Sequence, residues 1–171
     1  VYTQLAEWAQ EFQPDFGQKL TENPDYAKAI LAIGRGGKKP RKDLATWKDA
    51  KDYMGFFYDE YLQAPDFGDA FPKATVAEVL NRFLKEFDMA DDATVWFDIV
   101  KAITEAIGFT TDMKAYKQDP QAFPGTVADV STFLRLAVTG KTNSPDLYTV
   151  MQLLGYERTV ERIRKALAAL G

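Results

Sequence analysis

This chain has neither cysteine nor histidine in its 171 residues. Without cysteine it can form no disulfide and no thiolate zinc site. Without histidine it has no imidazole for general acid–base work, for a Ser-His-Asp or Cys-His nucleophile, or for a metal. An enzyme built from it would depend on carboxylates, lysine or tyrosine alone. Long apolar runs are also missing, and the stretch Ala166 to Leu170 is far too short to cross a bilayer. The start, Val1-Tyr2-Thr3-Gln4, has no basic segment followed by an apolar one, so it does not read as a signal peptide. It also lacks an initiator methionine, which is expected of a piece of a longer protein. No run alternates apolar and polar residues rich in Val, Ile and Thr, and no Asn-Gly or Asp-Gly pair marks a hairpin. Basic residues number 21 against 25 acidic ones, for a net charge of −4. As a sum this speaks against a nucleic-acid partner, but the placement of the charges matters more.

What remains is a helical pattern. Apolar residues make up 46% and charged residues 27% of the chain, so a packed core is expected and disorder is not. Tyr2, Leu5, Trp8, Ala9 and Phe12 have helical spacing. Asn23-Pro24-Asp25 reads as a cap, a first-turn proline and an acid at the start of a helix through Ile30 and Leu31. Thr46 and Asp49 resemble a capping box. From Trp47 one long helix is expected, with the stripe Ala50, Tyr53, Met54, Phe57, Tyr58 and Tyr61, and its aromatics are expected in the core rather than on bases. Pro65, Gly68 and Pro72 then break the chain. Further helices follow on Val76, Val79, Leu80 and Phe83, and on Trp96, Ile99, Val100 and Ile103, the latter opened by Asp91-Asp92 and stopped by Gly108. Residues 110–125, with Pro120 and Pro124, read as loop with one short helix. Val127, Val130 and Leu134 lead a helix to Gly140, Ser144-Pro145 starts the next, and Val160, Ile163 and Leu167 lie on the last. The expectation is an all-α fold, a multi-helix bundle assembly in two lobes divided near residues 64–73.

Three clusters could carry chemistry. The segment 34–42 holds Arg35, Lys38, Lys39, Arg41 and Lys42 among glycines. Such a cluster suits phosphate oxygens, since each neutralised phosphate releases counterions, and it equally suits a solvated loop. It is not a P-loop, because no Gly-Lys-Ser/Thr ending is present. The second cluster is Arg135 followed by Lys141 and Ser144-Pro145-Asp146-Leu147. Ser144 can cap a helix with Pro145 in its first turn, and a helix start offers free N–H groups to a phosphate or a base edge. Arg135 lies beside the apolar stripe, where its planar fork could meet base or phosphate. The plain alternative is a helix–turn–helix with a capped second helix. The third set, Arg158, Arg162, Arg164 and Lys165 mixed with Glu157 and Glu161, reads as a solvated helix face.

Residues 126–167, TVADVSTFLRLAVTGKTNSPDLYTVMQLLGYERTVERIRKAL, resemble the last helices of bacterial glutamyl-tRNA synthetases. The matching elements are Arg135, Val138-Thr139-Gly140, Ser144-Pro145-Asp146-Leu147, Leu153-Leu154-Gly155 and Glu157-Arg158. KKPRKDLATWKDAKDYMGFFYDEYL resembles the linking helix upstream, and Trp96 to Phe109 the segment between, so the likeness covers most of the chain.

The resemblance implies an anticodon-binding domain of the class I synthetase type. Residues 1–68 would form a helical stem-contact and linker lobe, and residues 69–171 a helical anticodon-binding lobe. Arg135, Ser144, Pro145 and Leu147 would line the anticodon pocket. Arg135 would meet base or phosphate, Ser144 would bond through hydroxyl or backbone, and Pro145 and Leu147 would pack on base faces. Arg35, Lys38, Lys39, Arg41, Lys42 and Lys141 would contact the RNA backbone, with Arg41 the nearest candidate for a further anticodon-reading arginine. The partner would be tRNA(Glu), and tRNA(Gln) as well if the last anticodon letter is not read strictly; no DNA or membrane partner is expected. The chain would have no catalytic residues, metal or cofactor of its own. ATP and magnesium would belong to a separate Rossmann-type ligase domain, whose His-Ile-Gly-His-like signature a chain without histidine cannot contain. A cytoplasmic monomer is expected. The alternative function is a helical protein–protein interaction module without RNA binding, and a third is a histidine-free enzyme.

Overall fold

The computed structural model describes residues 1–36 and 44–171. They divide into two compact units. The first comprises Val1–Gln63 with Ser144–Leu153, the second Ala64–Asn143 with Leu154–Gly171. Neither unit is continuous in sequence, whereas the expected lobes, 1–68 and 69–171, each are. The described residues are all-α, with ten α-helices and a single isolated parallel bridge between Thr110 and Thr126.

The first unit opens with α1 (Tyr2–Phe12), α2 (Pro14–Glu22) and α3 (Pro24–Ala32). Leu5 and Ala9 of α1, Phe16 and Leu20 of α2, and Ala27 and Ile30 of α3 are fully buried. Each such large apolar side chain contributes about 1.5–3 kcal/mol on leaving water. At Gly17 a Cβ would lie 2.7 Å from the Gln10 backbone nitrogen, so α2 approaches α1 more closely than any other residue would allow. Asn23 caps α3 as its sequence suggests, its side-chain oxygen accepting from the Tyr26 N–H at 3.1 Å.

The long helix expected from Trp47 is instead a series of short pieces. A 3₁₀ turn at Trp47–Asp49 leads into α4 (Ala50–Met54), then 3₁₀ turns at Gly55–Phe57 and Asp59–Tyr61. The Thr46–Asp49 box is present, with Asp49 accepting from the Thr46 N–H at 3.0 Å. The break falls at Tyr58, whose backbone is extended (φ −109°, ψ 126°). Phe56, Phe57 and Tyr58 are all buried, at 2%, 0% and 8% exposure. Three successive residues on one helix would span about 200° of its circumference, and one of them would face water. Breaking the helix lets all three enter the core, where Phe56 stacks on Phe57 with ring centroids 4.5 Å apart. Tyr26 meets Phe57 and Tyr58 edge-on and donates its hydroxyl to the Phe57 carbonyl at 3.3 Å. The unit also contains most of α9 (Leu147–Leu154), whose Leu147, Val150 and Met151 are buried.

The second unit is built on α5 (Lys73–Glu86), α6 (Ala93–Ala106), α8 (Val127–Thr139) and α10 (Tyr156–Leu170), with the short α7 (Met113–Gln118) and a 3₁₀ turn at Pro120–Ala122 between α6 and α8. The helices α5, α6 and α8 all touch one another, and α10 lies against α5 and α8. Val76, Val79, Leu80 and Phe83 face Trp96, Val100 and Ile103, Val130, Phe133 and Leu134, and Val160 and Ile163, at the helical spacing visible in the sequence. Asp92 caps α6 through the Val95 N–H at 2.9 Å. Thr126 and Asp129 form a capping box at the start of α8. The bridge just before it ties residues 110 and 126 together. The Thr110 N–H donates to the Gly125 carbonyl at 3.1 Å and the Val127 N–H to the Thr110 carbonyl at 3.0 Å.

Candidate nucleic-acid interface

Helix α8 carries Arg135 and ends in a turn that the sequence dictates locally. Gly140 has φ 69° and ψ 8°, the left-handed conformation that glycine adopts without the Cβ clash. Its N–H returns to the Leu136 carbonyl at 2.9 Å. Thr139 is fully buried, and its hydroxyl donates to the Arg135 carbonyl at 2.8 Å while accepting from the Lys141 N–H at 3.1 Å. One hydroxyl thus brings the backbones of Arg135 and Lys141 together. Both residues are half-buried, a position from which a long cationic side chain can lay its stem on the protein and keep its head outside.

The segment after this turn departs from its expected form. Ser144 does not cap the next helix: α9 starts at Leu147, and the carboxylate of Asp146 accepts from the Thr149 N–H at 3.0 Å and from its hydroxyl at 2.7 Å. The Val150 N–H reaches the Asp146 carbonyl at 2.9 Å, which makes Asp146 the N-cap. Ser144 instead donates its hydroxyl to the Pro145 carbonyl at 2.8 Å. A carboxylate at the cap also gains from the positive end of the helix dipole, which a hydroxyl does not. Ser144 is 9% exposed and Leu147 3%, and Pro145 is buried, while Thr142, Asn143 and Asp146 are exposed.

Of the basic segment, Arg35 is described. It is half-buried just beyond α3, its N–H donating to the Ala32 carbonyl at 3.1 Å. Lys38, Lys39, Arg41 and Lys42 lie outside the described residues. The described residues contain no group of three or more acidic side chains that could hold a metal ion, and no helix long and apolar enough to cross a membrane.

Sequence reasoning misplaced Arg162. It reads as part of a solvated face, yet it is 4% exposed and donates from Nη1 to the Val138 carbonyl at 2.8 Å. The signal was there: Thr159, Arg162, Ile163 and Ala166 recur at i, i+3, i+4 and i+7, and all four are buried. Its neighbours behave as expected, with Arg164 and Lys165 exposed and Lys165 paired to Glu161 at 3.2 Å.

The family model described as "Anticodon binding domain" matches residues 125–167, the stretch that holds α8, the turn, α9 and the first part of α10. That stretch, all-helical here, has the class of an anticodon-binding domain. The whole chain has curated relatives as well. It is 39% identical to the glutamate–tRNA ligase of Sorangium cellulosum over 98% of this chain and 30% of the relative. It is 34% identical to that of Acetivibrio thermocellus and 36% to that of Clostridium beijerinckii, again over 98% of this chain and 31% of each relative. The chain belongs to the anticodon-binding region of the glutamate–tRNA ligase family. It spans roughly a third of the length of the relatives it matches.

Proposed function

We propose that this chain holds the anticodon arm of tRNA(Glu) for a glutamate–tRNA ligase, and that the ligation itself, with its ATP and magnesium, is carried out by a part of the ligase other than this chain. The observation that carries the reading is the coincidence of the anticodon-binding match, residues 125–167, with the α8 turn on which Arg135 and Lys141 are set. Arg135 is the base-reading or phosphate-reading residue, and Lys141, with Arg35 and the basic residues 38, 39, 41 and 42, neutralises phosphates. Ser144, Pro145 and Leu147, which are buried, act by shaping the start of α9. The net charge of −4 is compatible with this role, because Lys38, Lys39, Arg41 and Lys42 are concentrated in one short segment. On this reading the chain acts in the cytoplasm, where it would meet the tRNA.

Binding of an anticodon stem-loop to this chain, measured at two salt concentrations and with anticodon variants, tests the reading. Affinity should fall steeply with salt, with a log–log slope set by the number of phosphates contacted. In the full-length ligase, Arg135→Ala should weaken the cognate anticodon by about 5- to 150-fold relative to an unrelated one, as expected for one good base contact. Equal loss for both would assign Arg135 to a phosphate. No binding of the stem-loop at low salt would reject the function.

A further inference from the structure

We propose that Arg162 is a positioning residue for RNA recognition, a clamp that sets the end of α8 from which Arg135 and Lys141 act; this rests on the anticodon-binding reading above. The last carbonyls of a helix have no partner within it and must be satisfied from outside, and at a buried helix end water cannot do so. In α8 the Leu136 carbonyl is taken by the Gly140 N–H and the Arg135 carbonyl by the Thr139 hydroxyl, both from the turn itself. The Val138 carbonyl, two residues nearer the helix end than Leu136, is met from another helix, by the guanidinium of Arg162 at 2.8 Å. A cation at a helix C-terminus is favoured by the dipole, and an N–H that carries charge makes a stronger bond than a neutral one.

Burial makes this contact more than incidental. Arg162 is 4% exposed, Thr139 0% and Val138 0%, so neither partner can exchange the other for solvent without opening the core. On α10, Ile163 next to Arg162 and Thr159 one turn before it are fully buried as well. The orientation of the α8 terminus is thereby fixed to the packed body of the second unit instead of being left to the fraying that helix ends undergo. Thr139 then transmits the setting: its backbone adjoins the clamped carbonyl, and its hydroxyl joins Arg135 to Lys141. Preorganisation of this kind matters most for discrimination, because a base edge must be met within a fraction of an ångström whereas a phosphate tolerates more.

The test uses Arg162→Met, which keeps much of the stem but removes the donors, and Arg162→Lys, which restores a cation. Two quantities are read in each: amide hydrogen exchange at Gly140 and Lys141, with α5 and α6 amides as the control, and the ratio of cognate to unrelated anticodon binding in the full-length ligase. In Arg162→Met, exchange at Gly140 and Lys141 should rise about tenfold or more with the α5 and α6 amides unchanged, and the binding ratio should fall about fivefold or more. Arg162→Lys should recover part of both. Wild-type protection and an unchanged ratio in a folded Arg162→Met protein overturn the proposal. So does general loss of protection in both variants, which assigns Arg162 to stability alone. If the wild-type ligase shows no anticodon preference, the anticodon-binding reading itself fails, while the exchange data still report whether the clamp exists.

Discussion

Gly125→Ala adds one methyl group at a place where the structure leaves no room. Its Cβ would lie 2.4 Å from Cε2, 2.6 Å from Cδ2 and 2.8 Å from Cζ of Phe109. Ordinary contact begins near 3.4 Å, so the ring must retreat by about 1 Å. It cannot do so freely. Phe109 is 7% exposed, and Phe71 lies against it with ring centroids 5.6 Å apart, itself edge-on to Phe133 at 5.1 Å. The backbone of residue 125 is equally fixed, since its carbonyl accepts from Thr110, whose own carbonyl holds Val127 at the start of α8. Overpacking of this sort costs about 1–3 kcal/mol, against about 0.4–1 kcal/mol gained from the less flexible unfolded chain. The middle of these ranges leaves a net loss of about 1.3 kcal/mol, which lowers Tm by roughly 5–10 °C for a unit of about 100 residues. Trp96 is the only tryptophan in the second unit. Trp8→Phe with Trp47→Phe therefore makes its fluorescence report that unit alone in a thermal or urea melt. The decisive comparison is Gly125→Ala in a Phe109→Leu background, where the loss should largely vanish. A wild-type Tm for Gly125→Ala, or the same loss with Phe109 already replaced, would show that this contact does not limit the packing.

Two further predictions concern the first unit. Asp146→Ala should cost about 1 kcal/mol by removing the cap of α9, and Ser144→Ala less, as read by urea unfolding on Trp8 and Trp47 fluorescence. A larger loss for Ser144 would restore it as the cap. On the surface, the hydrogen bond from Lys19 to Glu60 at 2.7 Å raises the lysine and holds the glutamate below the usual carboxylate range. The Glu60 contribution is present above the ordinary carboxylate pKa and disappears as pH falls through its lowered value. That of Lys19 is present at lower pH and is lost only as pH rises through its raised value. Glu60→Gln should therefore lower Tm slightly between roughly pH 5 and pH 10, and the difference should shrink as acid protonates the Glu60 carboxylate. A Tm difference that does not shrink on acidification would mean the pair is not its source.

The sequence alone determined what depends on a few adjacent residues or on a regular spacing. Asn23 and Asp92, the Thr46–Asp49 pair and Gly140 act on backbone groups within four positions of themselves, so their caps and stops were legible. The all-α class and the core faces of α5, α6 and α8 followed from the period of their apolar residues, and the resemblance of residues 126–167 pointed to the anticodon-binding family. Only tertiary structure decided the rest, because burial depends on partners far away in sequence. The helix expected from Trp47 breaks so that Phe56, Phe57 and Tyr58 can all be buried. Residues 144–153 join the first unit although the chain brings them in between two stretches of the second. The burial of Arg162 could be read from the stripe it shares with Thr159, Ile163 and Ala166, but its partner, a carbonyl 24 positions earlier, is announced by no local pattern. Charge and propensity state what a residue prefers by itself; a buried hydrogen bond across two helices can outweigh that preference, and only the fold shows where one is made.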